Sequence, residues 1–257
     1  MTPVALHHRE QGDPDGPPVL LAQSLGTTMA MWDELAGALG ERFRVIRFDT
    51  RGHGDSPVPN GPYTTDDLAD DVLALADELG IDRLAIVGIS LGGAIAQTLA
   101  LSAPERLSAM VLCCTGPSFG DPANWHQRAA DVRSAGMGRL VEPTTQRWFT
   151  PEFPRTNPGR ANELLDQLAT TPPEGYAGCC EALAGFDAAD KLGEITTPTR
   201  VIAGAADPVT PPSVGETLRA GIPGADLVVI DDASHIANVA QPEAFNTAVL
   251  EHLEKTT

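Results

Sequence analysis

The stretch from Leu84 to Leu99, LAIVGISLGGAIAQTL, constrains this chain more than any other. Four apolar residues of strand length (Leu84, Ala85, Ile86, Val87) run into Gly88-Ile89-Ser90-Leu91-Gly92, and residues of helical type follow. A serine between a strand and a helix sits on a turn too sharp for ordinary backbone angles. Glycines two positions either side remove side chains that would collide with the strand and the helix. Such a turn lifts Oγ clear of the backbone, beside helix N–H groups that stabilise a developing oxyanion. The competing reading is a tight turn that merely happens to hold a serine. The strand before it, the helix after it and the Gly92-Gly93 pair favour Ser90 as a nucleophile.

The rest of the chain repeats the same unit. A strand near the N-terminus ends in a Gly/Asp/Pro turn at 12–18, and 18–22 (PVLLA) is a buried-strand run before the polar loop 23–28. A helix is expected over 29–39, a strand over 44–49, and a helix over 66–80 with Thr65 as its N-cap. A further strand is expected over 107–113, and after Pro198 the pattern resumes with strands at 199–203 and 226–230 and helices at 213–220 and from Pro242. The apolar runs are continuous rather than alternating, which marks a parallel sheet covered on both faces. The expected fold class is therefore α/β, a mostly parallel, doubly wound sheet.

Between 118 and 187 the character changes. No clear strand occurs, prolines are frequent, and Trp125 and Trp148 lie among patches of helical spacing. This segment holds six arginines against nine acidic residues, which makes it the least acidic part of a chain whose net charge is −18. It reads as a helical cap (118–187) inserted into a core formed by 1–117 and 188–257. The acidic balance argues against nucleic acid or an anionic membrane as partner, since both need a basic footprint. The N-terminal residues lack a basic and apolar leader, and no apolar run of about eighteen residues exists to span a membrane. A cytoplasmic protein, monomeric or a small homo-oligomer, is expected.

Four cysteines form the adjacent pairs Cys113-Cys114 and Cys179-Cys180. Neither pair has C-x-x-C spacing, so free buried thiols are expected rather than a metal or redox site. His7 and His8 read as an exposed strand pair without a third metal ligand, and His53, in the glycine-punctuated turn 50–56, reads as structural.

Serine at its free pKa is a weak nucleophile and needs a base oriented by an acid. Ser90, Asp207 and His235 each follow directly on an expected strand, and in an open α/β sheet those carboxyl ends share one crevice. Asp49, Asp231 and Asp232 compete weakly, since Asp49 precedes a structural turn and the other two share the loop of the histidine. The oxyanion needs two backbone donors, expected from the N–H of Leu91 just after the nucleophile and that of Leu25 in the first strand–helix loop. No metal or organic cofactor is implied.

On these residues the chain resembles the α/β-hydrolase superfamily, and more narrowly the 3-oxoadipate enol-lactonases. VGISLGGAIAQ (87–97) and FDTRGHGDS (48–56) identify only the superfamily. QSLGTTMAMWD (23–33) and GYAGCCEALAGFD (175–187) carry the narrower resemblance, with VIAGAADPVTPP (201–212) and DDASHIANVAQPEAF (231–245) around the acid and base. Gln23 departs from the histidine or asparagine expected there. The resemblance implies the α/β-hydrolase fold and hydrolysis of a small carboxylate-bearing enol-lactone to 3-oxoadipate in aromatic catabolism. A substrate carboxylate would want an arginine in the cap: Arg128, Arg133 and Arg147 are the candidates, with Trp125 and Trp148 as pocket walls. The rivals are a carboxylesterase or cofactor-free perhydrolase with the same triad and, from a different class, a small-molecule receptor with little turnover.

Overall fold

The computed structural model describes all 257 residues. The chain begins β1 (His8–Gly12), β2 (Pro18–Ala22), a 3₁₀ turn (Met29–Trp32), α1 (Asp33–Leu39), β3 (Arg44–Phe48) and α2 (Thr65–Glu78). It continues through β4 (Leu84–Ile89), α3 (Leu91–Ser102) and β5 (Leu107–Cys113). Five helices follow: α4 (Pro122–Ala135), α5 (Val141–Trp148), α6 (Phe153–Thr156), α7 (Pro158–Thr170) and α8 (Pro173–Gly185). The chain closes with β6 (Thr199–Gly204), α9 (Pro212–Gly221), β7 (Asp226–Ile230), α10 (Ala237–Ala240) and α11 (Pro242–Thr256). No helix is long and apolar enough to cross a membrane.

One seven-stranded sheet runs in the order β1-β3-β2-β4-β5-β6-β7, antiparallel only where β1 meets β3. β4 lies between β2 and β5 and is buried at every residue. That explains its unbroken apolar run: a central strand covered on both faces has no solvent side for polar residues. Helix α3 is buried from Leu91 to Ala100 and is apolar there except for Gln97 and Thr98, whose side chains donate to backbone carbonyls. Helix α2 is amphipathic instead, turning Leu68, Val72, Leu75 and Ala76 inward.

After β2 the chain crosses to β3 on one side, and then to β4 on the other. The strand order therefore reverses between β2 and β4, and a crevice opens at their carboxyl ends. The loop 23–28 and Ser90 both emerge into that crevice. Farther along, Ser118 and Asp187 pair in an isolated antiparallel bridge, so the helical segment between β5 and β6 leaves and returns at one point. Within it α4 packs along α8.

Three local expectations need correction. The helix expected over 29–39 opens as a 3₁₀ turn capped by Thr28, because the Met29 N–H is drawn to Asp49 Oδ1 at 2.8 Å. The N-cap of α2 is Thr64 rather than Thr65: its hydroxyl receives the Asp67 N–H while Asp67 reaches back to the Thr64 N–H, a reciprocal capping box. His7 and His8 are half-buried, not exposed, with His7 Nδ1 2.9 Å from Asp49 Oδ2. The short helix α10, just after His235, had no sequence signal of its own. All four cysteines are free and buried, as expected.

Candidate active site

Ser90 occupies a backbone conformation that side-chain-bearing residues rarely adopt, φ 55° and ψ −109°. Three contacts over-determine it. Its N–H donates to Cys113 O at 3.0 Å, and its carbonyl accepts from Ala94 N–H at 3.1 Å and from the Thr115 hydroxyl at 2.9 Å. The flanking glycines are required by close backbone approach. A Cβ on Gly88 would lie 2.2 Å from Gly92 O, and one on Gly92 would lie 2.0 Å from Ala22 O. Non-glycine strain of this kind costs about 1–3 kcal/mol and clusters at functional sites.

Asp207 and His235, on the loops after β6 and β7, meet at this end of the sheet: Asp207 Oδ2 is 2.8 Å from His235 Nδ1, and both are buried. Asp207 also accepts the Thr210 hydroxyl on Oδ2 at 2.7 Å, and the N–H groups of Val209 and Thr210 on Oδ1 at 2.8 and 3.2 Å. Burial works to raise the Asp207 carboxyl, but the His235 charge and these hydrogen bonds outweigh it and hold the group below the usual carboxylate range. An ionised Asp207 accepts a hydrogen bond from Nδ1–H of a neutral His235, which leaves Nε2 with its lone pair.

Ser90 and His235 line one cleft with Ser24 and Leu25 of the loop after β2. The N–H groups of Leu25 and Leu91 donate to no loop or turn carbonyl and to no side chain, so both are free to meet an incoming oxygen. Gly92 N–H donates to Gln23 O at 3.0 Å, and the Gln23 side chain donates from Nε2 to Thr27 O at 2.7 Å. The substituted residue thus braces this loop from inside, and its Oε1 is buried without a partner.

The helical segment supplies the other wall. Trp125, Arg128, Arg147 and Trp148 line the cleft together with Phe119, Thr144, Leu168, Tyr176 and Leu183. The Arg128 guanidinium stacks over Trp125 at 4.6 Å, and Trp125 Nε1 donates to Phe119 O at 2.7 Å. Arg133, Arg155 and Arg160 each pair with glutamate, whereas Arg128 and Arg147 pair with no acid. Burial, and then the positive charge of Arg128 nearby, lower Arg147, with Tyr176 opposing. Burial raises the Tyr176 hydroxyl, so it stays a protonated donor.

Of the arginines and tryptophans that the sequence put forward for substrate binding, Arg133 is the one that the cleft does not include. Its guanidinium is held by Glu174 and Glu181 of α8 through four hydrogen bonds of 2.6–2.9 Å, which ties α4 to α8 instead. Among the residues that sequence reasoning missed, Thr210 had a local signal, since a hydroxyl three residues after a loop aspartate is placed to bond it. Tyr176 lay inside the stretch that carried the narrow resemblance. Ser24 likewise lay inside such a stretch (23–33), whereas Thr144 had no signal. Nor did the two ties between α5 and the histidine loop: the Ser234 hydroxyl donates to Arg147 O at 2.8 Å, and Ile236 N–H to Trp148 O at 3.2 Å.

A family model described as the alpha/beta hydrolase fold matches residues 17–242. The chain is 42% identical to 3-oxoadipate enol-lactonase 2 of Acinetobacter baylyi, over 96% of this chain and 92% of that protein. Among solved structures, the enol-lactonase from Burkholderia xenovorans LB400 superposes with a TM-score of 0.94 at 38% identity, covering 97% of this chain and 96% of its own. A thermophilic esterase from Thermogutta terrifontis, solved with malate bound, also gives 0.94 at 32% identity, covering 98% and 93%.

Proposed function

The chain belongs to the α/β-hydrolase fold family and is a hydrolase, and from that premise we propose that it opens 3-oxoadipate enol-lactone to 3-oxoadipate through a serine-bound acyl intermediate. In this reading residues 118–187 form a cap over a core of 1–117 and 188–257, and the reaction serves the breakdown of aromatic compounds. The observation that carries the substrate choice is the pair Arg128 and Arg147. In a chain of net charge −18, two guanidinium groups without acidic partners face the cleft of Ser90 and His235. A small ester that itself bears a carboxylate fills that need.

Ser90 Oγ attacks the lactone carbonyl carbon while His235 Nε2 takes its proton, and Asp207 holds the imidazole orientation and stabilises its charge. The carbonyl oxygen becomes an anion received by the Leu25 and Leu91 N–H groups. Collapse breaks the ring C–O bond. The departing enol oxygen takes the proton from His235, and the enol becomes a ketone, which makes ring opening effectively irreversible. His235 then removes a proton from water, which attacks the acyl carbonyl and releases the second carboxylate with Ser90 restored. Arg128 and Arg147, with the Tyr176 hydroxyl, hold the substrate's own carboxylate away from the reacting carbonyl, between the Trp125 and Trp148 rings.

The test is hydrolysis of freshly generated 3-oxoadipate enol-lactone, followed by loss of its ultraviolet absorbance, with Ser90→Ala as the blank. Fast turnover, with simple aryl esters turned over far less efficiently, supports the reading. Residual turnover by Ser90→Ala overturns the nucleophile. Esterase activity without lactone turnover keeps the triad and favours the carboxylesterase reading, which the likeness to the Thermogutta terrifontis esterase supports. Peroxide-dependent turnover of a carboxylic acid would favour the perhydrolase reading.

A further inference from the structure

The loop that carries Leu25 is tied down everywhere except at its centre. Ser24 to Thr27 form a β-turn closed by Thr27 N–H on Ser24 O at 3.2 Å, and the Thr27 hydroxyl donates to the same carbonyl at 2.8 Å. Gln23 holds Thr27 O, Gly92 N–H holds Gln23 O, and Asp49 holds Met29 N–H. The peptide between Leu25 and Gly26 remains. In the two commonest β-turns this central peptide differs by a flip, and a positive φ at the third residue selects one of them. Gly26 has φ 83°, where a Cβ would also lie 2.5 Å from Leu168 Cδ1.

The one hydrogen bond made by that central peptide runs from Gly26 N–H to His53 Nε2, at 2.9 Å. His53 is fully buried and lines no part of the cleft. Its Nδ1 faces Arg51 O at 3.3 Å, so Nδ1 carries the hydrogen and Nε2 presents its lone pair to Gly26. Burial pushes the imidazole down to about 4, against the opposing pull of the Arg51 carbonyl and Asp49, which keeps the ring a neutral acceptor. The imidazole is anchored in turn. His53 N–H donates to Thr50 O at 2.9 Å, its carbonyl accepts Ser56 N–H at 3.0 Å, and Gly52 (φ 79°) abuts the backbone of Gly175 in α8.

We propose that His53 is a positioning residue for the oxyanion site: by accepting the Gly26 N–H it locks the flip of the Leu25–Gly26 peptide and so aims the Leu25 N–H. A flip would rotate ψ of Leu25 through well over a right angle and drag its backbone with it. The inference rests on the reading in which Leu25 N–H receives the oxyanion. It predicts that His53 acts on the transition state and not on substrate binding.

The decisive contrast is His53→Gln against His53→Asn. Glutamine can place an amide oxygen where Nε2 now lies, whereas the shorter asparagine withdraws the acceptor from Gly26. Asparagine should lower kcat on the lactone about 10- to 100-fold with KM within about twofold, below the full loss of an oxyanion donor because the donor is misaimed rather than removed. Its affinity for phenylboronic acid, which adds to serine as a tetrahedral anion, should fall by a similar factor. Glutamine should stay within about fivefold of the parent on both. A parental kcat in the asparagine variant, equal losses in both variants, or a kcat loss with unchanged phenylboronic acid affinity would each overturn the proposal. A measurement on the unsubstituted protein guards against variants that fail to fold. ¹⁵N NMR should find His53 protonated on Nδ1 and coupled across the hydrogen bond from Nε2 to the Gly26 amide, and an Nε2-protonated ring overturns the role. If Ser90→Ala retains turnover, the serine-hydrolase reading itself fails. If that variant is dead while His53→Asn keeps its kcat, only the positioning role fails.

Discussion

The sheet and the helical segment between β5 and β6 solve opposite problems with opposite sequence. β4, β5 and α3 are largely apolar and buried almost completely, and a Cβ added at Gly88, Gly92 or Gly93 would lie 2.0–2.5 Å from its nearest neighbouring atom. In the segment 118–187, α8 is packed tightly against the sheet domain at Gly175 and Gly178, but α4, α5 and α7 are half-exposed, and a Cβ on Gly136, Gly138 or Gly159 meets nothing within 4 Å. The rigid region carries Ser90, Asp207 and His235, where a small displacement is costly. The looser region carries Arg128, Arg147, Trp125 and Trp148, where contacts can change without disturbing the sheet. In the proposed mechanism, chemistry is held by backbone geometry and selectivity by replaceable side chains.

The comparison can be broken first at the acid. Asp207→Asn should lower kcat by about 10⁴ through the wrong imidazole tautomer while leaving a folded protein. Circular dichroism beside turnover checks both halves. The same residue sets an acid limit on stability. Its folded pKa lies below its unfolded one, so between the two the unfolded chain binds the extra proton. The stabilisation is present above the ordinary carboxylate range and is lost as pH falls through the folded value. Urea unfolding across that acidic window should show a shallower loss for Asp207→Asn than for the parent.

Glycine sharpens the contrast next. Gly92→Ala should destabilise by about 3 kcal/mol or more, since its Cβ would press on backbone at 2.0 Å and neither the strand nor the helix can retreat. Gly159→Ala in α7 should instead stabilise by about 0.5–1 kcal/mol, because alanine loses less backbone entropy and nothing obstructs it. Equal effects at the two sites would erase the distinction between the regions.

Within the segment, Arg147→Met or Arg128→Met should raise KM for the carboxylate-bearing lactone about 10- to 100-fold, the worth of one charge-assisted hydrogen bond. Kinetics on p-nitrophenyl acetate, which has no carboxylate, should change little. A matching loss on both substrates would assign these arginines to packing. The smallest effect belongs to Arg133→Ala. Its ion pairs with Glu174 and Glu181 are partly exposed, so melting should report a cost of about 1 kcal/mol or less, with turnover unchanged.

Most of the sheet was legible because its signals are local. The strand at 107–113 and the one at 226–230 were read to the residue: each is a short apolar run bounded by turn residues, the first buried in the sheet and the second half-exposed at its edge. Helix starts were read less well. The N-cap of α2 moved from Thr65 to Thr64 because adjacent threonines are equivalent in sequence, and only the reciprocal bond with Asp67 distinguishes them. Arg133 was grouped with Arg128 and Arg147 for the same reason. Nothing in the order of residues says which arginine of α4 turns toward the acids of α8 and which stacks on Trp125 above the cleft.

What the sequence determined by itself is whatever backbone sterics and chain order impose over a few residues. That includes the strained Ser90 between Gly88 and Gly92, the parallel βα succession, and the placement of Asp207 and His235 after strands whose ends must share a crevice. Tertiary structure alone decided the rest: that Arg128 and Arg147 reach the cleft without an acidic partner, that α5 grips the histidine loop through Ser234 and Ile236, and that His53 meets Gly26 across 27 positions. A local clash is written in neighbouring residues and has one solution. A hydrogen-bond partner is chosen among several chemically identical groups, and only the packing of distant segments selects one.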